Sequence, residues 1–563
     1  MSARARSGRS YGRWAEVGLP AAGVAIGILL VLGPFLATVV RSLLVFDHDS
    51  ARLSLQNFET LLRDWRFYQA VGNTFLAGVG ATVLSCLMGF TLAWIVSRTD
   101  LPGRRTFEAL NLVPFFLSPY VGAIAWIYLA APNSGMLQHW LGDLGIPIDF
   151  IRIYSIGGVI WVLALFYTPY VYLFVIAPMR QMDAALEDAA RVHGASFWVT
   201  LRHVTVPLLM PSLLSAALVV FVTSAGLFDV PLALAATRGI RTMPTEIYQA
   251  VQYPTDFGRA TAFGVLVMAV TILLAILQRQ YLARRRFDIV SGKGYRPRLI
   301  HLRWRGKLAA FAIEALYLGG GVVLPTLAVL MVASSAIWTG RFNPAALTWR
   351  NFDYVIFGYK LTQQAILNSL FLALVGATLG VALALLQAYY LNRSTSRRRP
   401  LVDAVLSLPL GIPGIILGLG FLLIAIRTPL YSTLTIILIA YIARFFPFAT
   451  RTVSGLLLGI NPELEQSARA SGASWLQTML FVLLPLLLPS IIAAWLMLFV
   501  IFIRELGATI LLYAQGTETI SVALVILSEH SAASMTALAV VQLVLLLGAF
   551  VFFRLTRVSL VQG

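Results

Sequence analysis

Three ionisable side chains interrupt long apolar segments of this 563-residue chain and could contact a charged solute. Asp229 lies in one such segment, and Arg504 and Glu505 lie at nearly the same depth in a later one. A charge inside a membrane is costly and is usually retained on a path for substrate or ions. The equal alternative is a salt bridge from Arg504 to Asp229 or Glu505 that only holds helices together. Asp229 could also lie among lipid headgroups.

The sequence contains no residue pattern typical of catalysis or of a metal site. Six histidines are scattered along the chain, and Cys86 is its only cysteine, so the ligand clusters typical of zinc sites are missing. Lys293 and Lys307 each follow a glycine, but a phosphate-binding loop also needs an earlier glycine and a following Ser or Thr. We therefore expect a non-catalytic chain that binds no cofactor or metal itself.

A polar motif that occurs twice is the second functional candidate. Leu186–Ser196 reads LEDAARVHGAS, and Leu464–Ser474 reads LEQSARASGAS, with seven of eleven positions identical at an offset of 278 residues. Thirteen residues after its glycine, each copy is followed by a proline, Pro207 or Pro485, that opens an apolar run. A duplicated polar element between apolar segments predicts a docking surface, present twice, for a partner that is itself twofold. A short helix lying on lipid headgroups is the alternative.

The local sequence predicts the same short helix in both copies. Asp183 and Asn461 precede the motif and are good N-caps, because their side chains accept free backbone N–H groups. Gly194 and Gly472 can take the left-handed conformation that ends a helix. The residues that we assign to the two surfaces are Leu186, Glu187, Asp188, Ala189, Ala190, Arg191, Gly194 and Ser196, and Leu464, Glu465, Gln466, Ser467, Ala468, Arg469, Gly472 and Ser474.

The composition indicates a polytopic all-α membrane protein. Hydrophobic residues make up 59% of the chain and charged residues only 12%, about half the charged fraction of a typical soluble domain. The net charge of +18 comes from Lys and Arg gathered in short loops, as in the cytoplasmic flanks of membrane helices, and this distribution argues against nucleic-acid binding. Twelve apolar runs are long enough to span a bilayer. They lie near 17–41, 69–97, 107–131, 155–178, 208–232, 259–282, 308–335, 365–392, 402–425, 430–450, 486–512 and 533–556.

The similarity between the two halves extends beyond the polar motif. It predicts two tandem six-helix repeats, 1–282 and 308–563, joined by a basic linker, 283–307. Six spans per copy make this a parallel repeat with a pseudo-twofold axis along the membrane normal. The Lys and Arg placement predicts that both termini and both polar motifs face the cytoplasm. The matching pairs are Leu53–Phe58 with Leu347–Phe352, Ser97–Arg98 with Asn392–Arg393, Pro114 with Pro409, and Pro169 with Pro447.

Asn73 and Asn368 hold matching positions at the start of the second predicted span of each copy. Each could cap its helix, bond a neighbouring helix or contact the solute.

The polar motif resembles the EAA loop of permease subunits in type I ATP-binding cassette (ABC) importers. The family pattern, E-A-A-x-x-x-G, is filled by Asp188, Ala189, Ala190 and Gly194 in the first copy and by Gln466, Ser467, Ala468 and Gly472 in the second. The resemblance implies that each loop is a coupling helix seated on one of two identical ATP-binding subunits, which hold ATP and Mg²⁺. It also implies a periplasmic substrate-binding protein as a second partner and a multi-pass location in the bacterial inner membrane.

More detailed similarity points to the fused, double-length permeases for ferric iron. The segments Asn111–Trp126, Gly292–Arg298 and Arg504–Leu524 resemble that group. Related fused permeases carry thiamine, phosphonates or other small anions, and these substrates remain alternatives. An ion-coupled secondary transporter is a remoter alternative, because it would not explain two matched docking loops.

Overall fold

The computed structural model describes residues 18–47, 50–132, 134–143, 145, 152–252, 254–284, 299–341 and 343–555. The N-terminal arginines, most of the predicted linker, the segment Gly292–Arg298 and the last residues of the chain lie outside this described part. Among the described residues, ten helices are long and apolar enough to cross a membrane, and two bent helix pairs raise the number to twelve.

The first repeat begins with a membrane helix and a short antiparallel hairpin, β1 (Leu44–Asp47) and β2 (Ser50–Leu53). Its helices are α1 (Leu19–Ser42), α2 (Gln56–Arg63), α3 (Trp65–Arg98), α4 (Arg104–Leu110), α5 (Val113–Phe116), α6 (Pro119–Ala130), α7 (Met136–Gly142), α8 (Ile156–Gln181), α9 (Ala184–Val192), α10 (Phe197–Thr200), α11 (Val206–Gly226), α12 (Asp229–Leu234), α13 (Met243–Val251) and α14 (Phe257–Arg284).

The second repeat follows the same order of long helices. Its helices are α15 (Trp304–Leu318), α16 (Leu324–Ala333), α17 (Arg350–Asp353), α18 (Lys360–Arg393), α19 (Arg399–Ser407), α20 (Gly414–Ala425), α21 (Leu434–Gly459), α22 (Glu463–Ala470), α23 (Trp475–Thr478), α24 (Leu484–Ile503), α25 (Thr509–Leu512), α26 (Ile520–Ser528) and α27 (Ala532–Leu555).

The lengths of the matching helices show the duplication directly. Both α3 and α18 have 34 residues and start 295 residues apart, whereas α8 and α21 have 26 residues and start 278 apart. The difference arises between these helices, where 25 residues, 131–155, separate α6 from α8 and only 8 residues, 426–433, separate α20 from α21. The first repeat therefore carries a longer connection, which contains α7.

Two predicted continuous spans are wrong, because each is broken in the middle. The helices from Arg104 to Phe116 meet α6 at a 96° bend, and those from Arg399 to Leu410 meet α20 at a 102° bend. Proline supplies no backbone N–H and blocks the preceding turn of a helix. Pro114 and Pro119 flank the first break, and Pro409 and Pro413 flank the second. Backbone freed in this way is tolerated at membrane depth where protein or a cavity surrounds it.

The fifth predicted spans, 208–232 and 486–512, end earlier than expected. Their helices stop at Gly226 and Ile503, and short helices, α12 and α25, follow after a turn. They also begin earlier, because the chain stays helical from Phe197 and from Trp475. Asp229, the first residue of α12, and Glu505, in the turn before α25, thus lie beyond the long helices.

A π-helical turn precedes three of the prolines. The segments Leu201–Thr205 and Met479–Leu483 lie directly before α11 and α24, and Gly319–Val323 lies before α16. Each following helix has a proline, Pro207 or Pro485 in the first two cases, at one of its first two positions. The π turn shifts the hydrogen-bond pattern by one residue just before the proline, which donates no backbone bond, so the helix continues through this position.

Each repeat places its first membrane helix on the other repeat. Helix α1 packs against α18 and α20, and Gln387 Nε2 donates a hydrogen bond to the Gly23 carbonyl at 3.2 Å. Helix α16 packs against α6. The carbonyl of Gly320, just before α16, accepts a hydrogen bond from Trp126 Nε1 of α6 at 3.2 Å. The two repeats therefore share one interlocked core.

Candidate functional site

The first polar motif forms α9, a surface helix tied to the end of α3. The Asp183 Oδ1 atom accepts a hydrogen bond from the Ala185 amide at 2.8 Å, as the N-cap prediction requires. Glu187 turns inward and is only 8% exposed. Its Oε1 accepts from the Thr205 hydroxyl at 2.9 Å, and its Oε2 lies 4.0 Å from Nη1 of Arg98, the last residue of α3. A buried charge is expensive without a partner, so this pair fixes α9 to α3.

The second motif forms α22 with the same anchor. Glu465 is 6% exposed and accepts a hydrogen bond from Nε of Arg393, the last residue of α18, at 2.7 Å. Arg393 Nη2 also donates to the Ile460 carbonyl at 2.9 Å, and Arg98 Nη2 makes the matching contact with the Met182 carbonyl at 3.4 Å. The two motifs are thus duplicated in their tertiary contacts as well as in sequence.

Glu187 and Glu465 were assigned to the docking surface, and the structure corrects this assignment. Both carboxylates face the protein because each meets an arginine at the end of a membrane helix. Sequence reasoning missed these arginines as partners. The available signal was that Arg98 and Arg393 belong to the same duplicated pattern as the two glutamates.

The C-terminal ends of the two helices have the predicted left-handed glycines, with φ +81° at Gly194 and +91° at Gly472. The Gly194 amide donates to the Arg191 carbonyl at 2.9 Å, and the Ala195 amide donates to the Ala190 carbonyl at 3.0 Å. This pair of bonds is the Schellman motif, which satisfies carbonyls at a helix end.

The second copy has the matching bonds from Gly472 to Arg469 and from Ala473 to Ala468. At its N-terminus, Asn461 Oδ1 accepts from the Glu463 amide at 3.1 Å. The serines Ser196 and Ser474 cap the next helix.

The outer faces of the two motifs are exposed and partly apolar. Leu186 and Leu464 are each 48% exposed, and Trp198 beside the first motif is 73% exposed. Exposed apolar surface of this kind marks a contact with another protein or with a membrane. Of the assigned residues, Leu186, Ala189, Arg191, Gly194, Ser196, Leu464, Gln466, Ser467, Gly472 and Ser474 are exposed, and Asp188, Ala190, Ala468 and Arg469 are partly buried.

The segment that leads into α15 is held next to Arg98, the arginine that pairs with Glu187 of α9. The Ile300 amide donates to the Arg98 carbonyl at 2.8 Å. Asp100 accepts hydrogen bonds from the Leu302 amide and from Lys307 Nζ, both at 2.9 Å. These two donors hold the pKa of Asp100 well below its usual range. The end of the inter-repeat linker and the first motif therefore meet at one corner of the protein.

A cavity lies between the two repeats at the level of the bent spans. Its empty volume is about 880 Å³, counting space open to solvent. Both repeats contribute to it, and Pro409 to Pro413, at the second bend, form part of its wall. Its charged and phenolic lining residues are Tyr167, Tyr170, Asp229, Arg444, Arg504 and Glu505.

The ion pair in this cavity differs from both predicted salt bridges of Arg504. Glu505 pairs with Arg444, and Glu505 Oε1 also accepts from the Ala508 amide at 2.9 Å. The predicted salt bridge from Arg504 to Asp229 or Glu505 is therefore wrong. The sequence analysis did not select Arg444. This residue lies in α21, next to the predicted span 402–425, which was expected to be continuous but is broken.

Arg504 instead contacts the backbone at the first bend. Its Nη1 donates to the carbonyls of Phe115 and Leu117, at 2.9 Å for Leu117. The bend leaves these carbonyls without helical partners, so an arginine from the second repeat satisfies backbone of the first. Asp229 is 5% exposed and lines the cavity, which rules out its predicted alternative position among headgroups.

Asn73 and Asn368 do not begin their helices, since each is the ninth residue of α3 or α18. Asn73 Nδ2 donates to the Arg241 carbonyl at 2.8 Å, and Asn368 Nδ2 donates to the Glu518 carbonyl at 2.9 Å. Of the three alternatives, bonding to a neighbouring segment is the one that the structure shows. The capping alternative is wrong because both residues lie inside a helix.

Comparison with known proteins identifies the family. The model of the binding-protein-dependent transport system inner membrane component family matches residues 68–287 and 376–559, which together exceed two thirds of the chain. The chain belongs to this family of inner-membrane transport components. One matched segment lies in each structural repeat, so the family domain is present twice in a single polypeptide. The resemblance to a fused permease of a type I ABC importer is confirmed, as is the all-α fold of two tandem repeats.

Individual relatives of this permease span both repeats or only one. A ferric transport system permease of Actinobacillus pleuropneumoniae is 23% identical over 88% of this chain and 72% of its own length. An Fe(3+)-transport system permease of Haemophilus influenzae is 25% identical over 89% of this chain and 90% of its own. A molybdenum transport system permease of Mycobacterium tuberculosis is 30% identical over 47% of this chain and 92% of its own.

Among solved structures, a bacterial ABC transporter involved in the import of alginate aligns with 50% of this chain and all of its own, at 18% identity and a TM-score of 0.41.

Proposed function

We propose that this permease imports ferric iron that a periplasmic binding protein delivers, and that a pair of identical ATP-binding subunits drives the transport. The observation that carries the proposal is the matched anchoring of α9 and α22. Each surface helix is tied by a buried glutamate and arginine to the end of a 34-residue membrane helix. A partner that moves either surface helix must therefore also move the membrane helix to which it is fixed.

In this mechanism the two ATP-binding subunits seat α9 and α22 on the cytoplasmic side. ATP and Mg²⁺ bind in those subunits, and this chain contributes no catalytic group. When ATP binding closes the subunits, the two surface helices approach each other and rock the repeats between inward and outward access. Both termini lie in the cytoplasm, in agreement with the Lys- and Arg-rich loops on that side.

Two observations support ferric iron as the substrate. The ferric permeases match both repeats, whereas the molybdenum permease matches less than half of the chain. In the cavity, both arginines already bind groups of this chain, Arg444 with Glu505 and Arg504 with backbone carbonyls. The acid Asp229 is left to receive a solute, so a cation fits the cavity better than a phosphonate or another small anion.

Charge substitutions on the exposed leucines test the docking surface. Leu186→Asp and Leu464→Asp place a charge on the proposed contact without touching the buried anchors. We expect association with the ATP-binding subunits to weaken at least tenfold in each variant, measured by co-purification and titration in detergent. Leu53→Asp is the matched control. Leu53 is also an exposed leucine (79%), but it lies on the β1–β2 hairpin that follows α1 and not on either polar motif.

Uptake by proteoliposomes tests the transport reaction itself. We expect ferric iron to enter the vesicles only when the binding protein is outside and both the ATP-binding subunits and ATP are on the inner face of the membrane. Uptake that continues without those subunits would indicate an ion-coupled transporter instead. Uptake of a phosphonate or thiamine, with no uptake of ferric iron, would refute the proposed substrate.

A further inference from the structure

Asp229 is a buried acid on the wall of the central cavity. It is the first residue of α12 and is 5% exposed. Within the part of the chain that the structure describes, its carboxylate forms no ion pair and accepts no hydrogen bond from another residue. An unpaired carboxylate at membrane depth is costly, and such groups usually mark the path of a substrate or an ion.

Two tyrosines of α8 lie on the same side of the cavity. The rings of Tyr167 and Tyr170 are 5.5 Å apart, and both residues line the cavity with Asp229. Asp229 lies within electrostatic range of the Tyr167 hydroxyl. Tyr167 is buried and Tyr170 is partly buried. Buried tyrosine hydroxyls usually find a hydrogen-bond partner, yet among the described residues the hydroxyls of Tyr167 and Tyr170 bond to no other group. The first repeat therefore presents three oxygen-bearing side chains without partners.

The charged groups of the second repeat are occupied by contacts within the chain. Glu505 is neutralised by Arg444, and Arg504 binds the carbonyls at the first bend. On one wall of the cavity the charged groups are therefore already bonded within the chain. On the other wall, the side-chain oxygens have no partner among the described residues. Carboxylate and other oxygen ligands suit hard cations, whereas a free guanidinium would suit an anion.

We propose that Asp229, with Tyr167 and Tyr170, forms a transit site for a hard, highly charged metal cation in the central cavity. This inference rests on the proposed function, because it assigns the residues that ferric iron contacts between the repeats. A transit site must bind well enough to admit the cation and weakly enough to release it. The nearby Arg444 and Arg504 limit the affinity of the site, since both lie within electrostatic range of Asp229.

Isosteric substitution tests the carboxylate in the complete complex of permease, ATP-binding subunits and binding protein. We expect Asp229→Asn to lower ferric iron uptake by proteoliposomes at least tenfold. Binding-protein-stimulated ATP hydrolysis should stay within twofold of wild type, which shows that the variant is folded and coupled. Glu314→Gln is the matched control, because Glu314 is a fully buried acid that is not among the residues lining this cavity. Its uptake should equal that of wild type.

The outcomes separate this inference from the proposed function. If wild type imports no ferric iron, the proposed function fails. If wild type imports ferric iron and Asp229→Asn does so at the same rate, the transit site is refuted and the function stands. The same conclusion follows if Glu314→Gln and Asp229→Asn reduce uptake equally, because the effect would then be general.

A spectroscopic measurement tests the tyrosines without transport. Ferric citrate added to the purified complex should give the visible charge-transfer absorption of a ferric phenolate. We expect Tyr167→Phe combined with Tyr170→Phe to remove this absorption, while stimulated ATP hydrolysis persists. Absorption that is missing in wild type, or unchanged in the double variant, would overturn the role of the tyrosines as ligands.

Discussion

At the scale of residues, the two glutamate anchors are similar in position but differ in strength. Glu465 meets Arg393 at hydrogen-bond distance, 2.7 Å, whereas Glu187 lies 4.0 Å from Arg98 and accepts its closest bond from the Thr205 hydroxyl. Hydrogen bonds between charged groups are about twice as strong as neutral ones. The second motif is therefore held more firmly than the first, although the two sequences are nearly the same.

Neutralising Glu465 should loosen α22 measurably. Glu465→Gln leaves Arg393, whose side chain is 15% exposed, without its counter-charge. Removing one partner of a buried pair costs about 3–5 kcal/mol, and we expect about 3 kcal/mol because Arg393 keeps some solvent. Glu187→Gln should cost a similar amount, about 3 kcal/mol, because Arg98 is only 1% exposed and loses its counter-charge, although the amide oxygen can keep the bond from Thr205. Hydrogen exchange of the α22 and α9 amides measures both effects.

Exposed and double variants control this experiment. Glu463→Gln, on the exposed surface of α22, should change exchange by less than about 0.5 kcal/mol. Glu465→Gln with Arg393→Met removes both charges and should recover part of the loss. Equal effects of the Glu463 and Glu465 variants would contradict the anchoring role.

A pH dependence should arise where the linker meets the first repeat. The hydrogen bonds from Leu302 and Lys307 lower the folded-state pKa of Asp100, while the unfolded chain has an Asp pKa of about 3.9. The stabilisation is complete above about pH 5 and is lost as the pH falls below the unfolded value toward the lower folded one. We expect proteolysis after residue 298 to accelerate across this acidic range.

Asp100→Asn should remove that acceleration and raise the rate already at neutral pH. Asp143→Asn, at an exposed acid, is the control. Proteolysis of the Asp100 variant that still accelerates on acidification would show that another group is responsible.

Sequence reasoning succeeded at residues whose role is local. The caps and glycines of the motifs were predicted because each acts on backbone within a few positions, as at Asp183 and Gly194. The anchors were missed because Glu187 meets Arg98 from a distant part of the chain. Arg504 was recognised as an intramembrane charge, but its partners are carbonyls, which no side-chain pattern reveals.

At the scale of elements, the bent spans determine where the cavity forms. Each bend exposes backbone at membrane depth, and an arginine of the second repeat lies at each: Arg504 at the first and Arg444 against Gly414 at the second. Paired prolines within six residues were the signal for these bends. Apolar length alone predicted continuous spans, because hydropathy counts Pro114 and Pro119 among many apolar neighbours.

Removing the Arg504 side chain should loosen the first bend. Arg504→Met leaves the Phe115 and Leu117 carbonyls without a donor, and hydrogen bonds to a charged group contribute about 1.5–3 kcal/mol. We expect a lower thermal unfolding midpoint and faster thiol labelling at Ser118→Cys, which is 3% exposed in the native protein. Cys86→Ser provides the background for the labelling.

Arg504→Lys keeps a charge and a donor, so it should fall between wild type and the methionine variant. If labelling at position 118 is the same in all three proteins, Arg504 does not hold the bend.

At the scale of the whole molecule, the repeats are interlocked rather than side by side. The tandem duplication was predictable from the matching segments, but the exchange of first helices was not, because α1 and α16 are generic apolar runs. Close packing at a glycine distinguishes α1 from a generic apolar helix, because Gly420 of α20 faces the Pro34 carbonyl of α1. A helix that belongs to one repeat and packs in the other makes any rocking motion shared by both.

Two glycines at the α1–α20 crossing allow a matched test of the interlock. An added Cβ at Gly420 would lie 2.4 Å from the Pro34 carbonyl oxygen, whereas at Gly33 it would meet only Ile424 Cδ1 at 3.8 Å. Overpacking costs about 1–3 kcal/mol, so Gly420→Ala should push α1 away while Gly33→Ala is tolerated. With the chain cut between residues 284 and 299, we expect the two halves to co-purify in wild type and in Gly33→Ala, but several-fold less in Gly420→Ala. Equal recovery of all three would mean that the repeats associate without this crossing, and α1 could then not transmit motion between them.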